Sequence, residues 1–241
     1  MTQDSAPHDA SEYTDPSGMF GASDRIELIA TIALAIATVL TAWSAFQAGK
    51  WGGTQAINFS EAGAARTEST RADTRGGQLV QIDVAMYIDW VTAYSQEIKD
   101  GDVVLVSGAG YTPTDGTVSG FLYKRFRDEF RPAVDAWLTT EPMRNDDAPK
   151  TPFQMEEYVV AEQVKALELA SLADEKAAAA RTANQNGDNY VLTMVLFASV
   201  LFFAGVSSKL IKKRNRLFVM VFGVIILVSG IVILATLPIL F

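Results

Sequence analysis

Polar and apolar positions along this chain fall into separate blocks. Ile26 to Phe46 is apolar apart from Glu27 and scattered Thr and Ser, while Tyr190 to Ser208 and Leu217 to Leu237 carry no charged residue. Each block is about the 20 residues that cross a hydrocarbon layer roughly 30 Å thick. Trp43, Phe46 and Trp51 close the first block and Tyr190 opens the second, where amphipathic rings favour a membrane interface. The pattern predicts transmembrane helices over 26–47, 190–208 and 217–238.

The segment between the first two spans, residues 48–189, has helical periodicity. Leu79, Ile82, Met86, Trp90 and Ala93 recur at three and four, beside a stripe of Val80, Val84, Tyr87, Val91, Tyr94 and Ile98. Val118, Leu122, Phe126, Phe130, Val134 and Trp137 form the next stripe, and Asn145 to Pro152 reads as a loop. From about Gln154 an Ala- and Glu-rich helix runs toward Asn186 and enters span two, with Gly187 as a possible hinge. Val103 to Gly120 is a connector with room for a short strand pair.

Gly76-Gly77 offers two readings. As a turn, it gives four helices running up, down, up and down; as a kink, it lets the first helix continue to about Lys99, roughly 75 Å at 1.5 Å per residue. The four-helix bundle is the preferred expectation. The expected fold is therefore an all-α membrane protein: three transmembrane helices with an extracytoplasmic helical domain, a four-helix bundle, inserted between spans one and two.

Composition agrees with this separation. Apolar residues make up 49% of the 241, yet 20 Lys and Arg and 28 Asp and Glu give a net charge of −8. A wholly disordered chain, a disulfide scaffold and a basic nucleic-acid binder are excluded. The charge divides into −5 for residues 1–47, −8 for 48–189 and +5 for the rest. The positive part is one short turn, 209–216, carrying Lys209, Lys212, Lys213, Arg214 and Arg216 with no acid among them. Basic short loops stay cytoplasmic, so these five residues set the topology: N-terminus inside, 48–189 outside, C-terminus outside, in a bacterial inner membrane. Residues 1–25 are rich in Ser, Asp, Pro, Gly and Thr and are expected to be a disordered acidic cytoplasmic tail. Their acidity and the length of the apolar block that follows favour an uncleaved anchor over a signal peptide.

Little in the chain suggests catalysis. Without cysteine, thiol nucleophiles and thiolate metal sites are excluded. The single histidine, His8, lies in the tail, which leaves no Ser-His-Asp hydrolysis or imidazole-bound zinc. Ser107 to Gly110 lacks the Gly-Lys-Ser/Thr ending of a phosphate loop, and Asp100, Asp102 and Asp115 lack the spacing of a calcium loop. Asn58-Phe59-Ser60 matches a glycosylation sequon, which carries little weight in a bacterial protein. No span holds a charge at mid-membrane, which argues against a proton relay. No cofactor, metal or nucleic-acid partner is expected.

The first span is more informative. Thr31, Ala35, Thr38, Ala42, Ala45, Gly49, Gly52 and Ala56 follow an unbroken four-three spacing and are all small. Ile32, Ile36, Val39, Trp43 and Phe46 follow it one residue on and are all large. Such a helix lets another backbone approach on one side while lipid covers the other. The small seam packs either on spans two and three of the same chain or on another copy. Beyond the membrane, Glu61, Arg66, Glu68, Arg71, Asp73 and Arg75 read as a solvated, ion-paired helix face.

Trp43-Ser-Ala-Phe-Gln-Ala-Gly-Lys-Trp-Gly-Gly, Asp188-Asn-Tyr-Val-Leu and Leu201-Phe-Phe-Ala-Gly205 together resemble a group of uncharacterised bacterial membrane proteins. Those proteins share the order of one span, a helical outer segment and a helical hairpin, so the resemblance implies topology and no activity. The layout is also similar to the sensing half of chemoreceptors, but no cytoplasmic signalling module follows span two. The expected role is non-enzymatic: an envelope scaffold or accessory subunit in the bilayer, forming a homo-oligomer or joining another membrane protein. An oligomeric channel lined by span one is the first rival. A ligand sensor with a pocket among Met86, Trp90, Tyr94 and Trp137 is the second.

Overall fold

The computed structural model describes residues 22–104 and 111–241. His8, most of the expected tail and Ser107 to Gly110 lie outside the described residues. The elements are α1 (Ala22–Asp100), α2 (Val118–Tyr123), α3 (Arg131–Thr139), a 3₁₀ turn at Pro152–Gln154, α4 (Ala161–Lys209) and α5 (Lys213–Thr236). No strand occurs among the described residues, including 103–104 and 111–120 of the connector. Helices α1, α4 and α5 each contain a stretch long and apolar enough to cross a membrane.

The chain divides into two compact units, one formed by Met1–Gln55 with Arg181–Phe241 and the other by Ala56–Ala180. In the first, α1, α4 and α5 pack through Ala33, Ala37, Phe197, Val200 and Leu227, with Leu40, Leu201, Ile226 and Leu234 around them. Small residues decide how closely these helices approach. A β-carbon at Gly230 would lie 2.7 Å from Cε1 of the fully buried Phe197, and one at Gly223 would lie 3.5 Å from the Phe203 Cβ. Gly187 opens no hinge. It stays inside α4, where a β-carbon would come within 3.6 Å of the Trp51 Cβ.

In the second unit, α1 and α4 run antiparallel on an alanine seam. Ala62, Ala65 and Ala72 of α1 are buried, as are Ala166, Ala173, Ala177 and Ala180 of α4. The direction is fixed by pairs that descend α4 as they climb α1. Lys176 meets Glu61 at 2.7 Å, the Ser69 hydroxyl donates to the Ala166 carbonyl at 2.8 Å, and Gly76 lies against Gln163.

This unit corrects the expected four-helix bundle. Gly76-Gly77 is no turn, because α1 passes through it unbroken. Gly76 is buried, and a β-carbon there would meet the Gln163 Cγ at 2.7 Å. The glycine supports a close helix approach rather than a change of direction, at a helix-propensity cost of about 1 kcal/mol.

The stripe from Val118 to Trp137 is also not one helix: α2 stops at Tyr123 and α3 starts at Arg131. Pro132 explains the gap, since its ring would clash with the carbonyl four residues back if a helix continued from Asp128. The last helix begins at Ala161 rather than near Gln154. Pro152 first closes a 3₁₀ turn, and Met155 leaves it in extended conformation with ψ 145°.

Around these short elements lies an aromatic core. Trp90, Tyr94, Tyr111, Tyr123, Phe126, Phe130, Val134 and Trp137 are buried, with Tyr87, Phe153 and Tyr158 against them. Trp90 stacks on Tyr94 at 5.0 Å and meets Tyr111 edge-on at 5.4 Å; Phe130 stacks on Phe153 at 5.1 Å. Stacked and edge-on pairs each add about 0.5–1.5 kcal/mol beyond the area they bury.

Candidate interaction site

The small seam of α1 is not the surface on which this chain packs. Thr31, Ala35, Thr38, Ala42, Ala45, Gly49, Gly52 and Ala56 are all exposed. Over the same stretch, residues 27–56, the buried positions are Ala30, Ala33, Ala37, Ser44 and Gln47, on a different face. Of the two readings of the small seam, packing against spans two and three of the same chain is therefore corrected. The large stripe is exposed too: Ile32, Ile36, Val39, Trp43 and Phe46 all face outward. Ala35 also lines a shallow apolar depression with Ile36, Val39 and Leu40.

The face that does pack carries polar side chains that periodicity of small residues did not reveal. Ser44, Gln47 and Thr193 are fully buried in the first unit. The Thr193 hydroxyl lies 3.0 Å from Ser44 Oγ and 2.8 Å from the Tyr190 carbonyl. Gln47 donates from Nε2 to the Leu240 carbonyl at 2.9 Å and accepts the Leu240 N–H at 3.0 Å. The Pro238 carbonyl accepts from both Trp51 Nε1 at 3.2 Å and the Tyr190 hydroxyl at 3.1 Å. Residues 238–240 are thus clamped after α5 ends at Thr236, where no further helical bonds can satisfy their backbone. The signal in the sequence was the set Ser44, Gln47 and Trp51, three polar-tipped residues at helical spacing beside an apolar span. They lie within the Trp43-to-Gly53 stretch that carries the resemblance.

The second unit holds a buried ion pair. Asp83 is buried on α1 and accepts from Arg127 Nη1 at 2.7 Å and from the Tyr158 hydroxyl at 3.0 Å, while Arg127 also pairs with Glu129. Burial pushes the Asp83 carboxyl above its ordinary value, and the bonds from Tyr158 and Arg127 oppose that shift. The Tyr158 phenol is pushed up by burial and then by donating to Asp83. Tyr123 is raised for the same reasons, with Asp135 as its acceptor. Glu97 accepts from both the backbone N–H, at 3.0 Å, and the hydroxyl of Ser119, and that hydroxyl lies 2.6 Å from the Tyr111 hydroxyl. These networks tie the short elements to α1. Sequence reading missed Asp83, because it lies between two apolar stripes and its partners are 44 and 75 residues away.

The charged face of α1 is an ion-paired surface. Arg66 meets Asp174 at 3.5 Å, Arg71 meets Glu68 at 3.3 Å and Lys165 meets Glu68 at 3.7 Å, all with solvent access of a third or more. Exposed pairs of this kind contribute about 0–1 kcal/mol each. Asp115 pairs with Lys124 at 2.6 Å, which lowers its carboxyl from the ordinary value. No group of three or more His, Asp or Glu residues placed to hold a metal ion occurs among the described residues. Met86, Trp90, Tyr94 and Trp137, the set named for a ligand pocket, belong to the aromatic core.

The basic turn is the remaining sequence-derived feature. Lys209, Lys212, Lys213 and Arg214 are exposed, and Arg216 is largely buried, 3.9 Å from Glu27. Fold and site together define a helical protein with three helices long and apolar enough to span a membrane. No protein-family model, curated protein or solved structure matches the chain.

Proposed function

We propose that this is a non-enzymatic integral membrane protein, an envelope scaffold or accessory subunit that self-associates through the small-residue face of α1. The observation that supports the reading is the exposure of all eight small positions from Thr31 to Ala56, while the chain packs internally on Ala30, Ala33, Ala37, Ser44 and Gln47. A face of Ala, Gly and Thr lets two helix backbones approach closely enough for dispersion contacts to hold them in lipid. A partner helix on that face is a second copy of α1, with the basic turn cytoplasmic and residues 48–189 outside the inner membrane.

The chain has no cysteine, so single cysteines report contacts without background. Ala35→Cys, Ala42→Cys and Gly49→Cys in native membranes are expected to cross-link to dimers. Val221→Cys and Val228→Cys, on the exposed side of α5, are expected not to. Equal cross-linking at both sets, or a strict monomer in mild detergent, would overturn self-association. Reporter fusions at residue 212 and at the C-terminus check the orientation.

A further inference from the structure

We infer that the turn between α4 and α5 is a binding surface for anionic phospholipid headgroups. The inference rests on the membrane reading above but not on self-association. Four cations, Lys209, Lys212, Lys213 and Arg214, are exposed within six residues, and none has an anionic partner among the described residues. Their depth follows from their neighbours. They link α4 to α5, and both helices carry membrane-length apolar stretches, so the cations sit at headgroup level.

The surface is more than a loose basic loop. Ile211 is 98% exposed in the middle of the cations, an apolar side chain with no cover from the protein and acyl chain within reach. Arg216, one turn into α5, has a buried Nε–H without an acceptor among the described residues, and the Glu27 carboxylate lies 3.9 Å from its Nη2. Its backbone carbonyl accepts from the Ser207 hydroxyl at 3.3 Å, which fixes the start of α5 against the end of α4. A phosphodiester offers what this arrangement lacks: negative charge for the exposed ammonium groups and guanidinium, and acceptor oxygens for Arg216. Acyl chains below it would cover Ile211. Arginine and lysine beside a bilayer attract anionic lipid within about one Debye length.

The test uses the full chain in vesicles of phosphatidylcholine containing about one fifth phosphatidylglycerol, with spin-labelled lipids reporting association at the protein surface. Wild type is expected to favour labelled phosphatidylglycerol over labelled phosphatidylcholine by about threefold or more. The variant Lys212→Gln/Lys213→Gln/Arg214→Gln, with insertion confirmed by co-flotation, is expected to show a ratio near one. Lys50→Gln, which removes an exposed cation after the first span, is expected to leave the preference intact. Equal association in wild type, or a preference that survives the triple variant, overturns the inference. So does a preference abolished by inorganic phosphate at constant ionic strength, because the site would then be one for a soluble anion. Failure of wild type to float with vesicles would instead overturn the membrane reading itself.

Discussion

Gln47 and Leu240 exchange two hydrogen bonds, amide to backbone, at 2.9 and 3.0 Å. The side chain thus does for Leu240 what a neighbouring strand would do, and it does so while fully buried. Replacing it with Leu leaves a peptide N–H and carbonyl without partners, and each such group costs about 1–3 kcal/mol. Gln47→Leu is expected to lower stability in detergent by about 2–4 kcal/mol, read as a loss in thermal midpoint. Trp51→Phe is expected to cost less, about 1 kcal/mol, because the Tyr190 hydroxyl still donates to Pro238.

Gly230 and Gly223 provide a matched pair on α5. A methyl at Gly230 would press on the ring edge of Phe197 at 2.7 Å, whereas at Gly223 it meets Phe203 Cβ at an ordinary 3.5 Å. Overpacking a filled interior costs about 1–3 kcal/mol. Gly230→Ala is expected to destabilise by that amount, and Gly223→Ala to stay within about 0.5 kcal/mol of wild type. The reverse order would mean that α5 sits in a different rotation against α4.

The continuity of α1 at Gly76-Gly77 has its own readout. A β-carbon at Gly77 meets nothing within 4 Å, and alanine is favoured over glycine in a helix interior by about 0.5–1 kcal/mol. Gly77→Ala should therefore stabilise by about that much. Gly76→Ala should instead destabilise, since its methyl would meet the Gln163 Cγ at 2.7 Å and the Gln163 backbone nitrogen at 3.3 Å. Were these residues a turn with positive φ, Gly77→Ala would destabilise, and chemical denaturation of the full chain in detergent separates the two signs.

Asp83 gives the second unit a pH dependence. Its carboxyl is raised by burial above the ordinary value of 3.8, so between the unfolded and folded values the native state holds the extra proton. The contribution of this group to stability is fully present below pH 3.8 and is lost as pH rises through the folded value. Asp83→Asn removes that dependence. The stability of wild type relative to Asp83→Asn is expected to fall as pH climbs through this window and then level off, measured by unfolding across a pH series. A difference independent of pH would show that Asp83 does not titrate above its ordinary range.

Much of the architecture could be read in advance, and the limits have physical causes. The three apolar blocks each fall within a helix, the form in which one segment satisfies its own backbone groups without water. Trp90, Phe126, Phe130, Val134 and Trp137 were recognisable as core from spacing, and they are buried. Helix continuity was not legible at Gly76, where the deciding contact is Gln163, 87 residues further on in the chain. The break before Pro132 was legible in principle, but the stripe across it keeps its residues inside even though the backbone is not one helix. The small seam showed a real separation of sizes. The chain itself packs on neither the small nor the large face but on a third, which carries Ser44 and Gln47, and their partners come from α4 and the terminal segment.

The alanine seam of the second unit also bears on alignment. Ala166, Ala173 and Ala180 repeat every seven residues along α4, but on α1 only Ala65 and Ala72 share that spacing, so a slide of one repeat would bring Asn58 or Leu79 onto the seam. Volume therefore opposes such a slip at one end of the seam and tolerates it where Ala65 and Ala72 exchange places. What singles out the native alignment is the notch at Gly76 that receives Gln163 and the hydroxyl of Ser69 on the Ala166 carbonyl. Within this unit the helix pair is indexed by a few such marks more than by its alanines. Erasing both would weaken the preference for that alignment while each helix stays intact.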